Sequence, residues 1–594
     1  MFRKVSLTSL LFLVIQATAT PIVQLGGSTV TGSTFDGLEF YGGIPYAEPP
    51  IGSLRFKRPV PRGNLGTPTF DASKPGPICL QARIQTNSSA EDCLTLNIYK
   101  PAGIPENVTL PVMAWIHGGG WMLGGSASYN ATAIVKQSIT RGTPIIYVSF
   151  NYRLGPLGFP NGREAQSASA LNLGLRDQLL ALQWIQDNIA VFNGDKSKVT
   201  VFGESAGSMS IGILYLNSNL RNLVRAAIFE SGSAGGPDTF VASRGQSDWD
   251  NFVHAVPDVL LQAVETSWAK SDKGYPFVPV IDGPNGLLPD LPSALMEKGK
   301  FARVPFISGA NLDEGTYFTR ANINSSAMIK SFLFSNYTTP TASAKTLKEA
   351  VQKLVQLYPD VPSFGSPFNT GNETFGQSTE WKRYAAIVGD LWIHSQRRAW
   401  MQAATRFGVK TFGYLFTDPG APPIAPPTIG PATAAQGALG VTHTSELIYL
   451  YGLNAAFGRP ASAIALATQM IDYWVSFTTS LDPNDGLGSN RPTWSQYTSG
   501  NQAVLELTSV NMSMIADDYR TQQIDFINSN AAVFARISKE ITTKVDAKID
   551  PLPANGGAQG LEEIVKVLDG EGGGLRETLS GLTGGLTGGK TDGV

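Results

Sequence analysis

Nothing in this chain restricts its folding more than residues 199–207, where Val199, Thr200, Val201 and Phe202 run straight into Gly203-Glu204-Ser205-Ala206-Gly207 and then into a helix-like stretch. The pattern G-x-S-x-G has physical meaning only between a strand and a helix. There, two glycines permit a tight, strained turn that lifts the serine hydroxyl clear of a sheet, and the amides opening the helix favour developing negative charge. The competing reading is an ordinary serine in a turn, and the preceding strand argues against it.

The surroundings have the same character. Pro111 to Ile116 and Pro144 to Phe150 are short apolar, β-branched or aromatic runs bounded by Gly, Pro and Asn, as buried parallel strands are. Leu175, Leu179, Leu182, Ile185 and Ile189 recur at helical spacing before strand character returns at Val199 to Phe202. This β-α-β order predicts an α/β architecture. Two further strands are expected, at Val304 to Ser308 and at Thr411 to Phe416, the second followed by a Pro- and Ala-rich linker reaching Gly440.

A chain of 594 residues with 42% hydrophobic residues, 15% charged residues and a net charge of -2 is globular and offers no electrostatic footprint for nucleic acid. Its first residues, Met1-Phe2-Arg3-Lys4, then the apolar run Leu10 to Ile15, then Ala17-Thr18-Ala19, follow the order of a secretory leader, with cleavage expected after Ala19. Six apolar residues fall far short of the roughly 20 needed to span a bilayer, so no transmembrane segment is expected there. Export agrees with sequons at Asn87, Asn107, Asn130, Asn324, Asn336, Asn372 and Asn511, candidate N-glycan sites. It also agrees with exactly two cysteines, Cys79 and Cys93, whose bridge would close a loop of about 15 residues and stabilise the fold by roughly 3 kcal/mol. The alternative is a pair of buried free thiols. From about residue 550 the composition turns to Gly, Leu and Thr, a tail unable to bury enough surface to fold and lacking a GPI signal. Gly584 to Thr591 fits a phosphate-binding loop by letter alone, because no strand precedes it and only three residues follow.

A serine hydroxyl needs a base, and the chain holds four histidines. His117 lies in His117-Gly118-Gly119-Gly120-Trp121, directly after a strand, where backbone is the expected tool. His254 follows Ser205 too closely to admit an acid-bearing strand between them, and His394 falls in the helix-like Leu391 to Trp400. His443, in Gly440-Val441-Thr442-His443-Thr444-Ser445-Glu446, stands in a loop after the long linker, as required. The acid must come between Ser205 and His443, at a strand end; Asp313 and Glu314 both qualify, and spacing does not choose between them. An oxyanion needs preset N–H donors, and Gly119 and Gly120, with the amide of Ala206 after the serine, are the candidates.

Six ordered segments resemble the type-B carboxylesterase/lipase family: Tyr41 to Ala47, Glu91 to Asn97, His117 to Trp121, Gly203 to Gly207, Asp313-Glu314-Gly315 and Gly440 to Glu446. The resemblance spans most of the chain. It implies an α/β-hydrolase fold, a central, mostly parallel twisted sheet flanked by helices and carrying long insertions, over residues 20–549 between the leader (1–19) and the tail (550–594). It implies that the acid is Glu314, completing a triad with Ser205 and His443, and that Ser231, in Glu230-Ser231-Gly232, hydrogen-bonds near it. It also matches Cys79–Cys93 to the family's first disulfide.

The expected activity is secreted, extracellular carboxylic ester hydrolysis through an acyl-enzyme, with no cofactor and no metal. Lipases of the family carry a long lid inside the first disulfide loop, whereas thirteen residues, Leu80 to Asp92, lie between the cysteines here. That disfavours a wide acyl tunnel, and the absence of an aromatic residue in this stretch disfavours a choline site. Lipase or sterol-ester hydrolase action is the second reading. A non-catalytic adhesion module is the third, opposed by the presence of all three triad residues.

Overall fold

The computed structural model describes residues 20–81, 89–233, 275, 277–320, 322–336, 342–424 and 437–534. The leader, Asn87, His254, residues 425–436 of the Pro- and Ala-rich linker and the Gly-rich tail lie outside the described residues.

Among the described residues, one sheet of eleven strands organises the fold. In chain order they are β1 Ser33–Phe35, β2 Leu38–Pro45, β3 Thr95–Pro101, β4 Leu110–Ile116, β5 Ile146–Phe150, β6 Gly194–Glu204, β7 Ala226–Glu230, β8 Phe306–Asn311, β9 Thr411–Phe416, β10 Ala503–Leu507 and β11 Ser513–Ala516. Across the sheet the order is β11-β10-β9-β8-β7-β6-β4-β5-β3-β2-β1. The seven strands from β5 to β10 pair in parallel, and antiparallel pairs close both edges.

Alternation along β4 shows why the central strands are apolar throughout. Val112, Ala114 and Ile116 enter one core, Met113 and Trp115 the other, since a strand turns successive side chains to opposite faces. Helix α1, Leu173–Asn188, covers the first face with Leu175, Leu182 and Ile185, aided by Ile211 and Leu214 of α2, Ala206–Tyr215, and by Trp400 and Met401 of α3, Ser395–Arg406. Helix α4, Ala461–Ser480, covers the second with Leu466, Met470 and Trp474. Among the described residues no helix is long and apolar enough to cross a membrane.

The expected β-α-β order is present, with one strand displaced. β8 begins at Phe306 and continues to Asn311, whereas the apolar run suggested Val304 to Ser308. Gly309, Ala310 and Asn311 keep pairing with Tyr414, Leu415 and Phe416, so the ladder extends past the hydrophobic stretch. This carries the chain directly to Asp313 and Glu314. Cys79 and Cys93 are joined in a disulfide at a separation of 14 residues, so the free-thiol alternative falls.

Candidate active site

Ser205 stands between β6 and α2 with φ 54° and ψ -125°, a conformation sparsely populated by non-glycine residues. Holding it costs on the order of 1–3 kcal/mol, borne by the surrounding structure. Its N–H donates to Glu230 O (3.0 Å), and its carbonyl accepts from Met209 N–H (2.8 Å), locking strand, turn and helix together. A Cβ at position 207 would lie 2.0 Å from Ile116 O, so only glycine lets the helix start this close to β4.

The loop after β4 abuts the same turn: a Cβ at Gly118 would meet the Ser205 Cβ at 3.0 Å. Gly119 has φ +104°, and a side chain there would strike Leu123 O at 2.2 Å. Neither Gly119 nor Gly120 donates its N–H to another group among the described residues. The Ala206 amide, first in α2, belongs to the amides a helix leaves unpaired. The His117 ring is buried, stacks on Tyr152 at 4.4 Å and lies 2.9 Å from Gly118 O. Burial pushes its pKa down to about 4, leaving the imidazole neutral near pH 7.

Glu314 follows β8 and faces the loop that carries His443. Its Oε2 is 2.6 Å from His443 Nδ1, while its Oε1 accepts from Asn311 N–H (2.7 Å) and from Ser231 Oγ (2.6 Å). Ser231, itself at φ 52°, thus occupies the back of this carboxylate. Asp313, the other acid that spacing allowed, points away: Oδ1 accepts from Ser366 Oγ and Phe368 N–H, both at 2.8 Å, and Oδ2 from Val441 N–H at 2.9 Å. It ties the acid-bearing turn to the histidine loop.

His443 Nε2 stands 3.1 Å from Glu204 Oε1, yet neither atom has a hydrogen-bond partner among the described residues. The link from Nε2 to Ser205 is therefore open in this structure. Phe318 packs 4.8 Å from the imidazole centre, fixing the ring plane.

Carboxylates crowd this centre, among them Glu204, Glu230 and Glu446, for which the sequence motifs imply no role. Burial, then the charges of Glu446, Glu314 and Glu230, pushes Glu204 well above the usual carboxylate range. Glu230 is raised by burial and by Glu446, against a 2.6 Å bond from Trp474 Nε1. Glu446 is raised to about 7 by burial and Glu314, with Asn311 and His443 pulling it back. Burial thus favours the neutral form of each of these three carboxyls, against the donors that Glu230 and Glu446 retain. Among the described residues no cluster of His, Cys, Asp and Glu has the geometry to hold a metal ion.

Ser205 opens onto a chamber of about 50 Å³ lined by Gly120, Ala206, Met209, Phe318, Trp392 and Gln396, among others. Tyr275 closes against Gly120, where a Cβ would sit 2.2 Å from its ring. The position of Glu446 three residues after His443 was visible in sequence; Met209, Trp392 and Gln396 had no local signal, since only packing brings them to Ser205.

A family model described as the carboxylesterase family matches residues 17–527. The chain is 34% identical over 575 residues to Secreted lipase 1 of Botryotinia fuckeliana, covering 87% of this chain and 94% of that one. It is 32% identical over 576 residues to Lipase 2 of Geotrichum candidum, covering 86% and 96%. Aspergillus niger EstA has a crystal structure that superposes with a TM-score of 0.71 at 25% identity, over 87% of this chain and 99% of that chain.

Proposed function

The chain belongs to the carboxylesterase family and is a carboxylic ester hydrolase, and on that premise we propose that Ser205, His443 and Glu314 hydrolyse esters through an acyl-enzyme. The observation that carries this reading is the 2.6 Å contact of His443 Nδ1 with Glu314 Oε2 beside the strained turn that presents Ser205.

Ser205 Oγ attacks the ester carbonyl carbon while His443 Nε2 takes its proton, a contact that commonly tightens only when substrate is bound. The new C–O bond pushes negative charge onto the carbonyl oxygen, which the amides of Gly119, Gly120 and Ala206 receive. Collapse breaks the bond to the alcohol, which leaves with the proton from His443. Water then repeats the sequence on the acyl-enzyme and releases the carboxylic acid. Glu314 holds the imidazole in one tautomer and stabilises its protonated form, and Ser231 and Asn311 hold Glu314.

Export is part of the proposal, supported by the leader pattern and by a relative named as secreted. On this reading the hydrolase domain runs from residue 20 to about 549, and the Gly-rich tail follows. N-glycans would sit on exposed sequons such as Asn107, Asn130, Asn324, Asn372 and Asn511. The thirteen residues between Cys79 and Cys93 leave no room for the long lid of the family's lipases, which favours short esters. Lipase action is the second reading, favoured by relatives named as lipases.

Replacing Ser205 by Ala is expected to abolish hydrolysis of a short-chain aryl ester and labelling by a phosphonate. Near-wild-type hydrolysis in that variant would overturn the assignment, and a wild-type protein that takes no label would return the chain to a binding role. Rates across acyl lengths, below and above substrate solubility, separate esterase from lipase: a jump confined to the interface selects the lipase.

A further inference from the structure

Gln396 is fully buried and is the second residue of α3, directly after Asp390–His394, where the chain forms a π-turn. Such turns insert an extra residue and re-aim the side chains beyond them. Here Trp392 and Gln396, four residues apart and so on one helix face, both reach the chamber at Ser205. The other walls include Met209, Val278 and Phe318.

In that apolar wall Gln396 is an anomaly. Its Nε2 donates to Leu391 O over 3.5 Å, at the limit of a hydrogen bond, and its Oε1 has no partner among the described residues. The amide has one sensible orientation, because turning it over would set its oxygen against the Leu391 carbonyl. Buried acceptors are nearly always satisfied, and an orphan at a site calls for an explanation. A methionine or leucine would fill the same volume at no such cost. What the glutamine adds is an unpaired acceptor within the chamber wall, covered by its neighbours in this conformation, so that a donor on the substrate meets it when the side chain turns toward the chamber.

We propose that Gln396 is a specificity-determining residue whose carbonyl oxygen receives a hydrogen bond from the substrate, so that short esters carrying a hydroxyl or amide N–H on the half seated in the chamber are preferred over alkyl esters of equal size. This rests on Ser205 as the nucleophile of that chamber. A site built around a buried acceptor discriminates strongly against the analogue lacking the donor, because the acceptor then stays unpaired. The donor can lie in the acyl or the alcohol half, and both place the same chemistry against Oε1.

The test uses two isosteric pairs, each differing by one hydroxyl in place of one methyl. Phenyl 3-hydroxybutyrate against phenyl 3-methylbutyrate probes the acyl half, and 3-hydroxybutyl acetate against 3-methylbutyl acetate the alcohol half. In the wild type the ratio of kcat/KM, hydroxyl over methyl, is expected to be roughly ten in one pair. In Gln396→Met it is expected to fall to about one or below. Each ratio is taken within one protein, so a general loss of activity cancels. A wild-type ratio at or below one in both pairs overturns the proposal even if the variant does not fold, and so does an unchanged ratio in a folded variant. If none of the four esters is hydrolysed and a phosphonate fails to label Ser205, the reading of the site itself has failed instead.

Discussion

Asp313→Asn separates the two acids that the sequence left side by side. The Asp313 carboxylate is 2% exposed and holds three donors, one of them Val441 N–H, two residues before His443. Asp313 N–H returns a bond to Val441 O at 2.9 Å, and Thr316 Oγ1 meets Thr442 Oγ1 at 2.7 Å, so the two loops form one clamp. Burial outweighs these hydrogen bonds and the charge of Arg520, and raises the Asp313 pKa from 3.8 to about 6. Because the folded value lies above the unfolded one, its contribution to stability is fully present below about 3.8 and is lost as pH rises through about 6. A shift of about two units is worth about 3 kcal/mol.

Asparagine does not titrate. Between pH 4 and pH 8 the wild type should therefore lose about 2 kcal/mol relative to Asp313→Asn. Urea unfolding of both proteins across that range reads the difference directly, with titrations shared by the two largely cancelling. At pH 8 the variant sets an amide N–H₂ against Val441 N–H, which costs roughly 1–3 kcal/mol and offsets much of the relief from burying no charge. Stability at pH 8 then changes little, while the histidine loop loosens and kcat falls by up to about a hundredfold, since small misplacements of a catalytic group are that costly. Stability curves that run parallel with pH, or a kcat unchanged at pH 8, would refute the clamp.

Two other substitutions test the carboxylates around His443. Ser231→Ala removes the 2.6 Å bond to Glu314 Oε1, and losing a hydrogen bond to a charged group, worth about 1.5–3 kcal/mol, should lower kcat by roughly ten- to a hundredfold with little change in KM; a change confined to KM would deny Ser231 this positioning role. Glu446, raised to about 7, is charged at pH 8 and largely neutral at pH 6. Glu446→Gln should therefore cut kcat by about tenfold at pH 8, where it removes a charge that favours protonated His443, and by much less at pH 6; equal losses at both values would show that the charge is not what matters.

Local pattern carried the reading as far as it did because the key parts are continuous in sequence. The runs at β4, β5 and β9 are apolar on both faces because both faces are covered. Around Ser205, strand, glycines and helix are adjacent, so the turn could be placed without tertiary information. Where pattern erred, as at β8, a ladder with Tyr414 to Phe416 carried the strand beyond its apolar residues, and the alternation of one strand cannot show how far its neighbour reaches.

Backbone chemistry was thus legible in the chain itself: the elbow at Ser205, the glycine loop after β4, the order of serine, acid and histidine, and a pair of cysteines. The environment of each group was not, because solvation and charge depend on residues far apart in sequence. Residues 313 and 314 are neighbouring acids, yet Glu314 meets the His443 ring while Asp313 meets three donors, Ser366 and Phe368 on one loop and Val441 on the histidine loop itself. Only the packing of β8 against those loops separates their roles. Glu204, Glu230 and Glu446 become a buried cluster, and Gln396 an unsatisfied acceptor at Ser205, for the same reason: folding removes water from groups whose partners are set by where distant segments meet.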